Sequence, residues 1–346
     1  MRVTIGDIAR EAGLSKGAVS YALNNKPGVS DETRLRVHDI ADRLGWTPNS
    51  AARSLSTSKA DAIGLVLRRP PKMLGTEPFY MEFIAGIESV LSSRETALML
   101  QVVDSHETEV AAYRKWWTER RVDGVLVVDL SIPDIRTEAV RQIGVPAVLV
   151  CDHKASAGLP HVWTDDRSAM LDAVRYLVRL GHRRIARVGG TSTLAHSLLR
   201  EAAFSEGLAE ANLINQGTEV TDFTGEEGAR ATRTLLTRPE PPTAIVYDND
   251  IMAVAGLSVA AEMGIDVPRE LNLIAWDDSP LCSLTHPPLS AMHRDIAELG
   301  RTAAQALLEL IDTGDTADRE APLPVIIPRG TTSGVLVGQA ANGARR

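Results

Sequence analysis

Residues Thr4 to Asn24 constrain this chain more tightly than any other stretch. Ile5, Ile8, Ala9 and Ala12 recur at i, i+3, i+4 and i+7, one apolar stripe along a helix. Thr4 suits the N-cap, and Asp7 falls in the first turn, where negative charge is favoured. Gly13 follows the last stripe residue, at the left-handed position that ends many helices. Leu14 fills the turn and Ser15 can cap a second helix, whose apolar set is Ala18, Val19, Ala22 and Leu23. The opposite face of that helix carries Lys16, Gly17, Ser20, Tyr21 and Asn24. A cation, small residues and hydrogen-bonding groups on one face suit a helix laid along base edges in a major groove. The same pattern also fits an ordinary helical hairpin, and residues further along decide between the two.

Ser30 caps a third helix, with Asp31 and Glu32 in its first turn and Thr33, Val37, Ile40, Ala41 and Leu44 as its stripe; Gly45 ends it. Three short helices sharing one small core approach the size limit for a unit that folds alone. Next comes a small, polar segment with Thr47 as cap, Pro48 in the first turn and a single large apolar residue, Leu55. A helix this short is unstable by itself in water. Ser56 to Asp61 reads as a linker. The charge is divided accordingly. Residues 1–60 hold nine Lys/Arg against six Asp/Glu, and the remainder holds 28 against 39, within a net charge of -8. A mildly basic head on an acidic body fits nucleic-acid binding at one end only.

From Ala62 the texture changes. Strands are expected at 62–67, 97–103, 124–128, 147–151, 185–188, 244–246, 271–275 and 325–327, and helices at 81–91, 109–119, 135–143, 167–180, 199–211, 226–236, 251–263 and 296–311. Continuous Val/Ile/Leu strands separated by helices predict an α/β fold of parallel sheets covered on both faces. The length of this part predicts two sheet domains. Ligands then belong off the carboxyl ends of the strands, in the cleft between the lobes. Cys151 and Cys282 lack metal-site spacing and read as buried thiols in a reducing compartment. No signal peptide or membrane-length apolar run is present, so the chain is expected in the cytoplasm.

The motifs place these readings in a known setting. The chain resembles the LacI/GalR family of bacterial transcription regulators along nearly its whole length. The resemblance is carried by Val3 to Ser15, Val19-Ser20 and Leu23-Asn24 in the head, and by Pro48-Asn49 and Ala52 to Leu55 after it. The body adds Leu180 to Ile185, Asn249-Asp250, Val267-Pro268 and Trp276 to Asp278. It implies a helix-turn-helix head (1–46), a hinge helix and linker (47–60), a two-lobed core like the type I periplasmic binding proteins (61–335) and a flexible tail (336–346). It also implies a homodimer on double-stranded palindromic operator DNA. Lys16, Gly17 and Tyr21 are then the base-facing positions, and Thr4, Ser15, Ser20, Asn24, Ser30 and Thr33 hold phosphates or position the head. Asn49 and Ala52 then contact DNA from the hinge, and Leu55 is the wedge that unstacks a central base step. Many relatives carry arginine where this chain has Tyr21 and a larger polar residue where it has Gly17, which shifts discrimination onto Lys16 and Tyr21.

The family's effectors are mostly sugars, with purines in some members. The resemblance assigns Arg200, Asn249 and Asp277 to the effector site, and the last two stand just after predicted strands. Asp152 also follows a strand, and Phe79 with Tyr80 could offer a stacking face; aromatics make up only 4% of the chain, so an adjacent pair is conspicuous. Trp163 and Trp276 are weaker candidates, and Trp116-Trp117 is expected to pack on a helix or at a subunit contact. Gly189-Gly190 lacks the remaining elements of a phosphate loop, and no His-Glu-x-x-His run or nucleophile elbow occurs. No catalysis, cofactor or metal is therefore expected. The competing reading is a sugar-binding receptor or carbohydrate-modifying enzyme on the same core, neither of which needs residues 1–58. The tail shows no leucine heptads, which favours a dimer over a coiled-coil tetramer.

Overall fold

The computed structural model describes residues 3–46, 59–69 and 75–332. The chain divides into two compact units, Met1–Ala60 and Asp61–Arg346. The first contains α1 (Ile5–Ala12), α2 (Lys16–Leu23) and α3 (Asp31–Arg43). Its helix starts are set by side chains that satisfy backbone groups left open at the first turn. The Asp7 carboxylate accepts from the Thr4 backbone N–H at 3.0 Å and the Thr4 hydroxyl at 2.7 Å. Ser15 Oγ accepts from Ala18 N–H at 3.1 Å, and Ser30 Oγ from Thr33 N–H at 3.3 Å. Gly13 ends α1 with φ 65°, which a residue with a Cβ adopts only under strain. Ile8, Val19 and Val37 are fully buried at the centre of the three helices.

The second unit has two lobes. In the first lobe β1 (Ala62–Arg68), β2 (Ala97–Val103), β3 (Gly124–Val127), β4 (Ala147–Val150), β5 (His161–Trp163) and the late β11 (Arg319–Glu320) form one parallel sheet in the order β11-β5-β4-β3-β1-β2. In the second, β6 (Ile185–Gly189), β7 (Thr218–Val220), β8 (Ala244–Tyr247), β9 (Asn272–Trp276), β10 (Ser290–His293) and β12 (Val325–Ile327) run in the order β12-β10-β9-β8-β6-β7. Helices α4 (Pro78–Leu91), α5 (His106–Thr118) and α6 (Ile135–Ile143) belong to the first lobe. Helices α7 (Asp166–Arg179), α8 (Ala195–Glu210), α9 (Gly225–Leu236), α10 (Asp250–Glu262) and the short α11 (Pro280–Leu284) belong to the second. Helix α12 (Ile296–Thr313) returns to pack on α4 and against β3, β4 and β5. The chain thus passes between the lobes after β5, again after β10, and again between β11 and β12.

The expected parallel sheets hold with one exception: β10 pairs with β12 antiparallel. Elements β5, β7, β10, β11 and α11 were not expected. β10 is Ser-Ala-Met-His, buried over its first three residues yet lacking the branched apolar run that marks β1. β7 and β11 are short edge strands. Trp116 is core, not a subunit contact: its ring lies where a Cβ on Gly64 of β1 would stand, 2.7 Å away. Among the described residues no helix is long and apolar enough to cross a membrane.

The α4–α12 crossing brings the lobe's last helix onto its first. It depends on two glycines. A Cβ on Gly86 would run into the Ala297 carbonyl, and one on Gly300 into the Phe83 carbonyl. Backbone cannot yield as a flexible side chain can, so overpacking here forces the helices apart. Gly86→Ala is expected to lower stability by about 1–3 kcal/mol. Denaturant titration reads this as a lower midpoint at unchanged slope; an unchanged midpoint would mean the crossing is looser than described.

Candidate functional site

The carboxyl ends of both sheets face one cavity of about 90 Å³. That is room for several waters, in a cleft the two lobes already close. Ala195 N–H donates to the Leu130 carbonyl at 2.8 Å, and Ser131 forms a β-bridge with Leu194, so backbone joins lobe to lobe. Phe79, Tyr80, Asp152, Arg200, Asn249 and Asp277 all line this cavity. Their surroundings differ from a simple set of ligand-facing groups.

The first wall centres on Arg69, which follows β1. Its guanidinium pairs with Asp129 at 2.9 Å and lies 5.4 Å from the centre of the Tyr80 ring. The Tyr80 hydroxyl donates to Asp129. Phe79 meets Tyr80 edge-on at 5.2 Å, and Arg294, arriving from the end of β10, sits 5.1 Å from the Phe79 ring centre. Glu77 precedes α4 at 3.9 Å from Arg69. Burial pushes its carboxyl up, the Arg69 charge only partly offsets this, and the group titrates at about 7. Asp152 accepts from Lys154 N–H at 2.8 Å and so shapes its own loop.

The second wall centres on Arg200, a buried side chain on α8. Its Nε and an Nη stand 2.8 and 2.7 Å from Asp166 Oδ2, while the other Nη donates to the Asp248 carbonyl at 3.2 Å. Its guanidinium lies 4.2 Å from the centre of the Trp276 ring, which is fully buried. Burial raises Asp166, and the charges of Arg200, Arg294 and His196 outweigh that, holding its carboxyl below the usual range. His196 is held down to about 4 by burial and by the Arg200 charge. Behind this layer Arg187 Nε donates to Asp248 at 2.9 Å, and Asp248 also accepts from Gly190 N–H at 3.0 Å. Asp277, at φ 60°, takes Arg294 at 2.7 Å.

Two sequence positions take on specific roles in the structure. Asn249, not Asp250, caps α10: its Oδ1 accepts from Met252 N–H at 2.9 Å and its Nδ2 donates to the Phe223 carbonyl at 3.0 Å. Trp276 is core beneath Arg200, whereas Trp163 lines the cleft. The sequence reading missed Arg69, Glu77, Asp129, Asp166, His196 and Arg294. Arg69 and Asp129 stand just past strands, the same signal that picked out Asp152. Among the described residues, Asp166 Oδ1 and Glu77 Oε2 are buried acceptors without a hydrogen bond, and both residues line the cavity.

In the head, Lys16, Gly17 and Tyr21 are exposed, and Lys26 Nζ stands 5.9 Å from the Tyr21 ring centre. Asn24 Nδ2 donates to the Ser20 carbonyl at 2.8 Å. Ser15 and Ser30 sit at the starts of α2 and α3, where open backbone N–H groups suit phosphate oxygens. Asn49, Ala52 and Leu55 lie outside the described residues.

Fold and site together define a two-lobed ligand-binding core carrying a helix-turn-helix head. Comparison with known proteins gives the same division. Residues 4–49 match the bacterial regulatory proteins of the lacI family, and residues 174–332 the periplasmic binding protein-like domain. The HTH-type transcriptional regulator AglR of Rhizobium meliloti is 31% identical over 346 residues, covering 96% of this chain and 95% of the relative. A LacI family regulator from Bifidobacterium animalis is 38% identical with a TM-score of 0.75, over 80% of this chain and 99% of that one. The transcriptional regulator CelR in complex with cellobiose is 27% identical with a TM-score of 0.72, over 96% and 100%. The chain belongs to the LacI family of DNA-binding transcription regulators. That membership sets aside the receptor and enzyme alternatives.

The Asp166–Arg200 pair tests how the second wall is held. Removing one partner of a buried pair strands the other charge, at a cost of about 3–5 kcal/mol. Arg200→Ala is therefore expected to lower stability by roughly that much, read by denaturant titration, with Asp166→Asn in the same chain restoring part of it. A loss below about 1 kcal/mol would class the pair with exposed surface bridges.

Proposed function

We propose that this chain is a repressor that binds a palindromic operator as a homodimer and is controlled by a sugar in the inter-lobe cleft. The observation that carries the ligand reading is the pair of open acceptors, Asp166 Oδ1 and Glu77 Oε2. Buried polar atoms rarely go without a partner, and hydroxyl donors on a polyol supply one to each. The guanidinium groups of Arg69, Arg200 and Arg294 and the Phe79 ring add donors and a stacking face. The cellobiose complex of CelR, a relative by structure, points to the same ligand class.

On this reading the head spans 1–46, the hinge and linker 47–60, the core 61–335 and the tail 336–346. Lys16, Gly17 and Tyr21 face bases, the capping hydroxyls hold phosphates, and Leu55 wedges into the minor groove. The hinge segments order only when paired on DNA, and the ligand shifts the core between arrangements that allow or forbid this pairing. The dimer reading draws on β2. It is an edge strand with Leu100 and Val102 exposed, a surface that folded proteins cover or blunt.

A thermal-shift screen of mono- and disaccharides beside nucleobases tests the effector class, since a ligand of the folded state raises the melting temperature. A response to nucleobases alone would refute the sugar assignment. In a mobility-shift assay Leu55→Ala should weaken operator binding by about tenfold or more, while the melting temperature of free protein stays unchanged. A matching loss of thermal stability would place Leu55 in the fold instead. Leu100→Asp should turn the dimer into a monomer in sedimentation, because a buried unpaired charge opposes the interface; a persistent dimer would move the contact elsewhere.

A further inference from the structure

His153 and His161, eight positions apart, meet the distant Asp318 beside the first lobe's edge. His161 opens β5 and is buried, His153 stands on the loop after β4, and Asp318 directly precedes β11. Each offers a ligand atom, and these atoms lie within 4.8 Å of one another. His161 Nε2 is 2.7 Å from His153 Nδ1. On the other side of the same ring, His161 Nδ1 is 3.0 Å from Asp318 Oδ1 and 3.1 Å from the Leu159 carbonyl. Two acceptors around Nδ1 make it the protonated nitrogen, which leaves the Nε2 lone pair facing His153. A carboxylate and a carbonyl that hold one imidazole nitrogen, while the other meets a second donor, orient ligating histidines at metal centres.

The loop that carries His153 is well tied. Ser156 Oγ donates to the His153 carbonyl at 2.9 Å, Gly158 N–H donates to Ser156 Oγ at 3.2 Å, and Arg141 donates to the Ala157 carbonyl. Two nitrogens on one tetrahedral ion stand roughly 3.3 Å apart. At 2.7 Å the two rings now share a hydrogen bond, so admitting an ion displaces that proton and requires the exposed His153 ring to move back by roughly half an ångström and to turn until both lone pairs converge on the ion.

We propose that His161 Nε2 and His153 Nδ1 bind one divalent transition-metal cation of the zinc type, with Asp318 fixing the His161 tautomer and water completing the shell. Imidazole nitrogens select such ions over magnesium and calcium, which take oxygen ligands. The ion joins the loop after β4 to β5. Both lead directly into the cleft: Asp152 precedes His153, and Trp163 ends β5 with its ring centre 4.7 Å from that of His153. Occupancy stiffens this wall and so couples to whatever ligand the cleft takes, reciprocally. The two histidines are eight positions apart, but Asp318 is 157 positions from His161, so no spacing rule brings in the carboxylate that orients the ring.

Calorimetric titration of the full-length protein with Zn2+ alone, and with Mg2+ as control, tests this. The expected result is one saturable Zn2+ site per chain, no Mg2+ heat, and affinity lowered about tenfold or more in His153→Ala and about tenfold in Asp318→Ala. Both substituted residues are exposed, and unchanged melting without metal verifies that the variants fold. Saturable Zn2+ binding of equal strength in wild type and His153→Ala, or none in wild type, would overturn the proposal.

Discussion

A carboxylate inside a protein stays charged only where a cation or hydrogen-bond donors offset its lost hydration, and Asp166 meets that condition through Arg200 at the second wall of the cleft. Their side chains are 5% and 3% exposed. Replacing such a pair by apolar residues often costs nothing in stability, so the pair is better understood as a geometric device than as a source of stability. Oδ2 of Asp166 is committed to Arg200, which leaves Oδ1 without a hydrogen bond on a residue that lines the cavity. Arg200 is in turn fixed between the Trp276 ring and the Asp248 carbonyl. The carboxylate of Asp248 is held by Arg187 from beneath and by Gly190 N–H from the side. Each layer restrains the next, and the groups that face a ligand have little freedom left to lose on binding.

Much of the fold was legible because its strands are buried on both faces. Ala62–Arg68, Gly124–Val127 and Ala244–Tyr247 read as unbroken apolar runs, and each is buried throughout or nearly so. The helix caps were legible for a local reason: Ser15 and Ser30 act within three residues of themselves. What escaped depends on context. β10 is Ser-Ala-Met-His, and its strand character comes from pairing with β9 and β12, which no propensity in four residues without a β-branched or aromatic apolar side chain signals.

The site divides along the same line. Asp152 was picked out because a position just past a strand faces the cleft in any such sheet, and Asn249 and Asp277, assigned by the resemblance, stand at strand ends too and line the same cavity. Arg69 and Asp129 obey the rule too, and applying it to every strand end would have found them. Asp166 could not be found this way. In sequence it is a first-turn acid beside the true cap, Asp165; its role comes from an arginine 34 residues away. Asn249 shows the reverse: it lines the cavity, yet its amide is engaged with helix α10 and the Phe223 carbonyl.

The closed cleft bears on how a ligand can act. With backbone joining Leu130 to Ala195, the described arrangement is one in which both walls already touch. A ligand small enough to bridge the open acceptors stabilises this arrangement, and one that outgrows the cavity favours separation of the lobes, so ligand size decides the direction of the shift. The first lobe moves as a unit in either case, because β1 is buried and paired on both sides by β2 and β3. β1 is also the strand whose carboxyl end delivers Arg69 to the cleft, so any displacement of the first lobe carries the Arg69–Asp129 pair with it.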